Sequence, residues 1–412
     1  MSVAIVGAGI AGLAAAHALA GTHEVAMYEA GSRAGGHVYT VEVDGGVAVD
    51  MGFIVHNRER YRHFTALLDE LAIETRPTTM AFSVCEGGTE WGSASLSALF
   101  ADRRALANPR HWRFLADVFR LLVHARRDLD TAELAAASLD DYLATRRVSR
   151  DVRDRFVVPL AAALWSLAPD SCGAFPARTY FGFLDQHGML SPIRPLAWRT
   201  IVGGSQRYVT ALLARLAATT RFTLALSSPV SAIRRSPRGV SLTVADREVH
   251  HDRVIIATHA DTALALLIDA DAAEREALGA FRYSRNRTVL HTDRSFLPTR
   301  AAAHASWNYV ADRDTARVAV TYSMTRLQGL PDVPYLVTLN PRREPRGVLH
   351  ETWFEHPQLD RAALAAQGAV QRLSGARRTY FAGAHLGFGF HEDGMRTGLA
   401  AATRVIADAR RP

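Results

Sequence analysis

The chain contains no lysine; all 48 of its basic residues are arginine. That absence excludes the phosphate-binding lysine of a P-loop, a Schiff-base lysine and pyridoxal chemistry, each of which needs a primary amine. Cysteine is nearly as scarce. Cys85 and Cys172 are the only two, too few for a disulfide framework or a cysteine-based zinc site, and they fit a reducing setting. Long apolar runs are missing as well: beyond residues 4–20, nothing approaches the roughly 18 uninterrupted residues of a membrane-crossing helix. Residues 4–20 have no basic stretch before them and are punctuated by glycines. The sequence therefore predicts neither a spanning segment nor export, and a cytoplasmic location. The 17 histidines offer no metal-ligand spacing, so no metal site is expected; His291, His350 and His356 read as surface or core residues.

What is present is ordinary in bulk. A length of 412 residues suggests two or three domains, and 48% hydrophobic with 22% charged residues excludes disorder, collagen and coiled coil. The formal charge of +7 would suit an anionic partner, yet no RNA-recognition, zinc-finger or basic-zipper pattern accompanies it, so no nucleic acid is expected. Residues 109–127 carry Trp112, Leu115, Val118, Phe119, Leu122 and Val123 at helical spacing, with arginines elsewhere. Two readings stand: a helix with a solvated face, or one making peripheral contact with a membrane. The oligomeric state is open.

The first thirty residues are the most informative. A short apolar run, 3–6, meets Gly7-Ala8-Gly9-Ile10-Ala11-Gly12, then an alanine-rich stretch, then a second strand pattern ending in Glu29. Strand, glycine turn, helix, strand is the βαβ unit of dinucleotide-binding folds. Gly7 permits the tight turn, Gly9 lets the backbone approach a pyrophosphate, and Gly12 lets helix and strand pack closely. Glu29, 17 residues after Gly12, is placed to accept bonds from ribose hydroxyls.

Downstream, a hairpin is expected around Asp44-Gly45-Gly46. Helical spacing dominates 96–188, with Ser138 as an N-cap and an apolar helical face over 161–167. Strand patterns at 222–226, 240–244 and 253–257 are followed by others at 288–292, 306–310, 318–322, 335–339 and 349–354, which suggest a separate antiparallel sheet. A buried strand at 379–382 precedes a C-terminal helix expected over 395–409.

Arg33-x-Gly35-Gly36-His37 resembles the RxGGR segment of the flavin-containing amine oxidase and phytoene desaturase superfamily, with His37 where that family usually has arginine. Further pieces fall in the family's order: Asp50-Met51-Gly52, with Phe53 after it; Gly203-Gly204; Pro229-Val230; and Phe381-Ala382-Gly383 with Gly389-Phe390-His391-Glu392-Asp393-Gly394. The resemblance implies an α/β fold. A discontinuous Rossmann-type FAD domain (1–75, 198–275 and 375–412) would join a substrate domain (76–197 and 276–374) with an antiparallel sheet and a helical layer. It implies non-covalent FAD held by Gly7, Gly9, Gly12, Glu29, Arg33, Gly35, Gly36, His37, Gly52, Phe53, Val230, Gly383, Asp393, Gly394 and Met395. Phe390 aligns with one ring of the family's aromatic cage; Trp307, Tyr309 and Tyr322 are candidates for the second, and His391 for a place beside the flavin. Neither cysteine lies in an attachment segment.

Two departures bear on activity. Ala384-His385 follow Phe381-Ala382-Gly383 where the family usually carries an acid, and the lysine that many amine-oxidising members place near the flavin is absent. The helical region is rich in Leu, Phe, Trp and Val. The expected activity is an FAD-dependent oxidoreductase removing hydride from a small apolar substrate, a desaturase or dehydrogenase of a lipid, polyene or polyketide-like molecule. A flavin amine oxidase, a redox-neutral double-bond isomerase and a non-catalytic flavin-binding protein are the alternatives.

Overall fold

The computed structural model describes residues 1–86, 89–165, 169–190, 196–311 and 318–410; the end of the 161–167 helical pattern therefore lies outside the described residues. Five strands form a wholly parallel sheet in the order Phe222–Ala225, Glu24–Tyr28, Ser2–Val6, Arg253–Ile256, Thr379–Phe381. Strands of such a sheet are buried on both faces, which is why 3–6 and 253–256 read as continuous apolar runs. The helices Ile10–Leu19 and His391–Ala409 pack against each other beside it. A three-stranded antiparallel sheet, 230–251, is appended.

The second sheet has seven strands, ordered Val348–Gln358, Arg282–His291, Leu336–Leu339, Val318–Ser323, Trp307–Ala311, Phe82–Glu86, Thr89–Gly92. It is mixed rather than purely antiparallel, because Trp307–Ala311 pairs in parallel with Phe82–Glu86. That strand and Thr89–Gly92 join from more than two hundred residues away. Such pairing has no local sequence signal.

Helices from Leu96–Leu99 to Ala177–Gln186 form the helical layer. Ser138 caps Leu139–Thr145 by accepting the Asp141 N–H, while Asp141 accepts the Ser138 N–H in return. Residues 40–50 form the expected hairpin.

The C-terminal helix differs from expectation. It begins at His391, not Met395. Asp393 accepts the N–H groups of Phe388 and Phe390 at 3.0 and 3.1 Å and so closes the first turn around Gly394. Acids in that turn also suit the positive end of the helix.

Candidate functional site

Each glycine of the first turn answers a different steric demand. Gly7 sits at φ +99°, and a Cβ there would press on the Ala257 carbonyl. At Gly12 a Cβ would overlap the Gly7 carbonyl oxygen, while at Gly9 it would meet nothing within 4 Å. Gly9 is the N-cap of Ile10–Leu19, which has no side-chain cap and no acid in its first turn. Its free N–H groups and the partial positive charge of the helix end are therefore unanswered. They open onto a cavity of about 550 Å3. The second glycine pair lies against this turn: Gly35 N–H donates to the Ala8 carbonyl at 2.8 Å, and a Cβ on Gly36 would come within 3.1 Å of Gly9 Cα. Open space at Gly9, facing uncapped amides, is a cradle that fits a diphosphate.

One end of the cavity is lined by Tyr28, Glu29, Val230, Thr258 and Thr262. Glu29 accepts the Ala8 and Gly31 N–H groups, each at 2.8 Å, which fixes the carboxylate and leaves each oxygen a second lone pair. Arg33 does not reach the cavity lining. Its guanidinium donates to the carbonyls of Val38 and Gly36 at 2.7 and 2.9 Å and lies 4.1 Å over the Tyr39 ring. It shapes the 35–38 loop, a structural task where cofactor contact was expected.

His37 lines the cavity and stacks on Phe354 with ring centroids 5.0 Å apart. Burial is the main cause that lowers its pKa to about 3. His356 and His385 line the same wall, and burial lowers them to about 4 and 3. His259 completes this wall, its ring 4.2 Å from that of Tyr283 and its Nδ1 3.3 Å from Glu355. The wall is polar yet uncharged apart from Glu355. His356, read from sequence as surface or core, is a half-buried residue of the cavity wall.

Towards the other end lie Gly52, Phe53, Gly383 and His391. His391 stacks on Phe53 at 3.8 Å and 13°, and its Nε2 meets the Tyr208 hydroxyl at 2.9 Å. Burial holds it neutral, well below the ordinary histidine pKa. Beneath this segment, Asp50 accepts from Ser205 N–H and Oγ and from Thr40 Oγ1; burial nonetheless raises it to about 6.

Three of the four predicted aromatics meet in the cavity. Phe390 lines it and stacks on Phe183 at 4.4 Å; Trp307 and Tyr322, directly opposite on paired strands, pack edge to face at 5.6 Å. Tyr309 does not join them. Two residues farther along the strand, about 7 Å away, it is buried in the core beneath the helical layer. Gly12, Asp393, Gly394 and Met395 also stand off the lining. A Cβ on Gly394 would strike Ile10, so this glycine sets helix spacing rather than touching the cavity. Asp393 is spent on the turn described above, and Met395 packs in the core around the first helix.

Sequence reasoning missed Tyr61, Phe183, His187 and Trp198, which line the aromatic end with Phe390. His187 lies 3.8 Å from the Phe183 ring and 5.6 Å, near-parallel, from Trp198. Its Nδ1 donates to the Phe183 carbonyl at 2.9 Å, leaving Nε2 to face the Tyr61 hydroxyl at 3.4 Å. Burial lowers it to about 4. The only legible signal was apolar helical spacing around 177–187, which does not say which face turns to a cavity. Neither cysteine is on the lining, and no cluster of three or more potential ligands among the described residues could hold a metal ion.

Known proteins resemble the chain in sequence and in fold. The sequence model of flavin containing amine oxidoreductases matches residues 10–331. Two Mycobacterium tuberculosis strains each carry a protein named as a flavin-containing monoamine oxidase, AofH, 30% identical over 277 residues; the alignment covers 62% of this chain and 56% of the relative. The chain thus spans about half the length of these curated relatives. Among solved structures, cyclohexylamine oxidase from Brevibacterium oxydans is similar at TM-score 0.73 and 18% identity, covering 100% of this chain and 99% of that one. A conjugated-linoleic-acid-producing fatty acid isomerase from P. acnes follows at 0.70 and 19%, covering 98% of both, and putrescine oxidase at 0.69 and 17%, covering 99% of both.

Proposed function

We propose, given that the chain belongs to the flavin containing amine oxidoreductase family, that it binds FAD non-covalently and removes hydride from an apolar, long-chain substrate. The observation that carries the substrate class is the make-up of the aromatic end. Phe390, Phe183, Trp165, Trp307, Leu164 and Met80 line it, and the carboxylates on the described lining, Glu29 and Glu355, belong to the opposite end and to the histidine wall. An ammonium placed there would be desolvated without a counter-charge, which is costly; an alkyl chain would gain burial. That the fold also serves a protein named as a fatty acid isomerase is in keeping with this reading.

In this reading the amides at the start of Ile10–Leu19 and the Gly35-Gly36 backbone hold the diphosphate, Glu29 and Val230 the adenosine end, and Gly52, Phe53 and His391 the flavin end. Bound there, FAD supplies an acceptor for a hydride. The chain supplies placement and water exclusion. Desaturation also takes a proton from the neighbouring carbon, and Tyr61 with His187 Nε2 is the polar pair at the aromatic end able to hold one.

Anaerobic mixing of the flavin-loaded protein with unsaturated long-chain acyl compounds tests the reading. Loss of flavin absorbance with a product two hydrogens lighter is expected. Loss of absorbance with primary amines alone would overturn the substrate class, and a shifted double bond at unchanged mass would make the protein an isomerase.

A further inference from the structure

The helix Pro109–Asp128 shows two faces. His111, Phe114, Leu121, Leu122 and Ala125 are buried and, His111 apart, belong to the core cluster that contains Phe183. The opposite side carries Trp112, Ala116, Phe119 and Val123 at steps of four, three and four residues, one stripe along the helix. Trp112 is 51% and Phe119 47% exposed. The Trp112 indole N–H donates to the Leu106 carbonyl at 3.0 Å, and its ring lies 4.7 Å from Phe100. The side chain is thus held in place with its polar atom satisfied and its apolar surface outward.

Two neighbours extend the patch. Leu106 is 48% exposed, and Leu96, one turn before Phe100, is 79% exposed. Among the described residues, four of the nine exposed large apolar side chains fall between 96 and 119. Charge concentrates there too: residues 96–127 hold seven arginines and only two acids, Asp102 and Asp117. Asp117 takes Arg120 at 3.0 Å and Arg113 at 4.0 Å, Arg110 pairs with Asp151, and Asp102 pairs with Arg300 from outside the segment, so arginine stays in formal excess over acid across this surface.

We propose that this face rests on an anionic lipid bilayer, with Leu96, Leu106, Trp112 and Phe119 at the acyl boundary and the flanking arginines on lipid phosphates. Aromatic and leucine side chains beside guanidinium groups, on this helix and the turns just before it, match the layering of such an interface, apolar below and anionic at headgroup level. No helix of the described residues is long and apolar enough to cross a membrane, so the attachment is superficial. The inference stands apart from the substrate reading, because lipid binding is measured without turnover.

The test is vesicle flotation of the full chain. Vesicles of phosphatidylglycerol and phosphatidylcholine should carry the protein at low salt, with at least roughly tenfold less binding to phosphatidylcholine alone and at high salt. Phe119→Glu combined with Leu106→Glu should cut binding by a similar factor. Arg103→Gln with Arg127→Gln, both surface positions, serves as the independent arm should the first variant melt early. No flotation at low salt overturns the proposal, as does binding indifferent to both variants. An oligomer that Phe119→Glu converts to monomer, with vesicle binding unchanged, would make this face a contact between copies and overturn it equally.

Discussion

Gly394 lies against Ile10. A Cβ on Gly394 would fall within contact distance of the Ile10 side chain, and four residues later a Cβ on Gly398 would overlap the Ala11 carbonyl. The first and last helices therefore touch through glycine, and their N-termini end up side by side at the cavity. The cradle at Gly9 depends on that spacing as much as on its own turn.

Gly394→Val should push the helices apart. We expect a loss of about 1–3 kcal/mol of stability, because overpacking against Ile10 outweighs the better helix propensity of valine relative to glycine, together with weakened flavin retention. Thermal melting and flavin titration check both. A variant with unchanged melting temperature would show that the helices do not pack as described.

Gly9 and Gly12 should separate binding from folding. Gly9→Val meets open space, so the apoprotein should melt within a few degrees of the parent yet fail to take up FAD, because the side chain fills the cradle. Gly12→Val should lower stability by about 3 kcal/mol or more through its collision with the Gly7 carbonyl. Equal melting temperatures for the two variants would contradict this.

Flavin should leave the protein on acid precipitation and appear in the supernatant. Cys85 and Cys172 both stand off the cavity, and burial raises their thiols to about 11 and 12, so neither is a thiolate at neutral pH. Yellow colour persisting in the pellet, and lost in Cys85→Ser or Cys172→Ser, would reverse the assignment.

Apoprotein stability should fall in acid. His37, His187, His356 and His385 have native pKa values of about 3 to 4 against the ordinary 6.5. Between those limits the unfolded chain binds more protons, so stability drops as pH falls from about 6.5 toward 4. Asp50, raised from 3.8 to about 6, works the other way: its contribution is full below 3.8 and is lost as pH rises through 6. Burial raises Glu392 and Asp393 in the same sense as Asp50, but His56 and His291, also lowered to about 4, join the other four histidines, and the histidines set the sign. Melting at pH 7.5 and pH 5 decides it, with a higher transition at pH 5 counting against the buried neutral histidines.

Phe390→Ala should leave flavin affinity intact, since Phe390 packs on Phe183 and His187 at the aromatic end. Binding of an apolar ligand should weaken about tenfold, the loss of one aromatic contact. Loss of flavin in this variant would mean that Phe390 lies along the cofactor instead.

The sequence by itself determined the parallel sheet and its glycine turn. Gly7, Gly9, Gly12 and Glu29 stand within thirty residues, and each answers a local demand: a positive φ, an empty space, a close crossing, an acid at a strand end. Ser138 and the Asp44-Gly45-Gly46 hairpin were legible for the same reason. Only the tertiary structure decided which residues share the aromatic end. Trp307 and Tyr309 follow the same alternation, and cavity or core depends on where the helical layer covers the strand. His187 and Tyr61 are 126 residues apart, and their meeting follows from packing between layers, which no local period encodes. Arg33 and Gly394 sit in recognisable motifs, yet loop carbonyls and a neighbouring helix claim them, because a motif specifies residue types while contact depends on what the rest of the chain brings alongside.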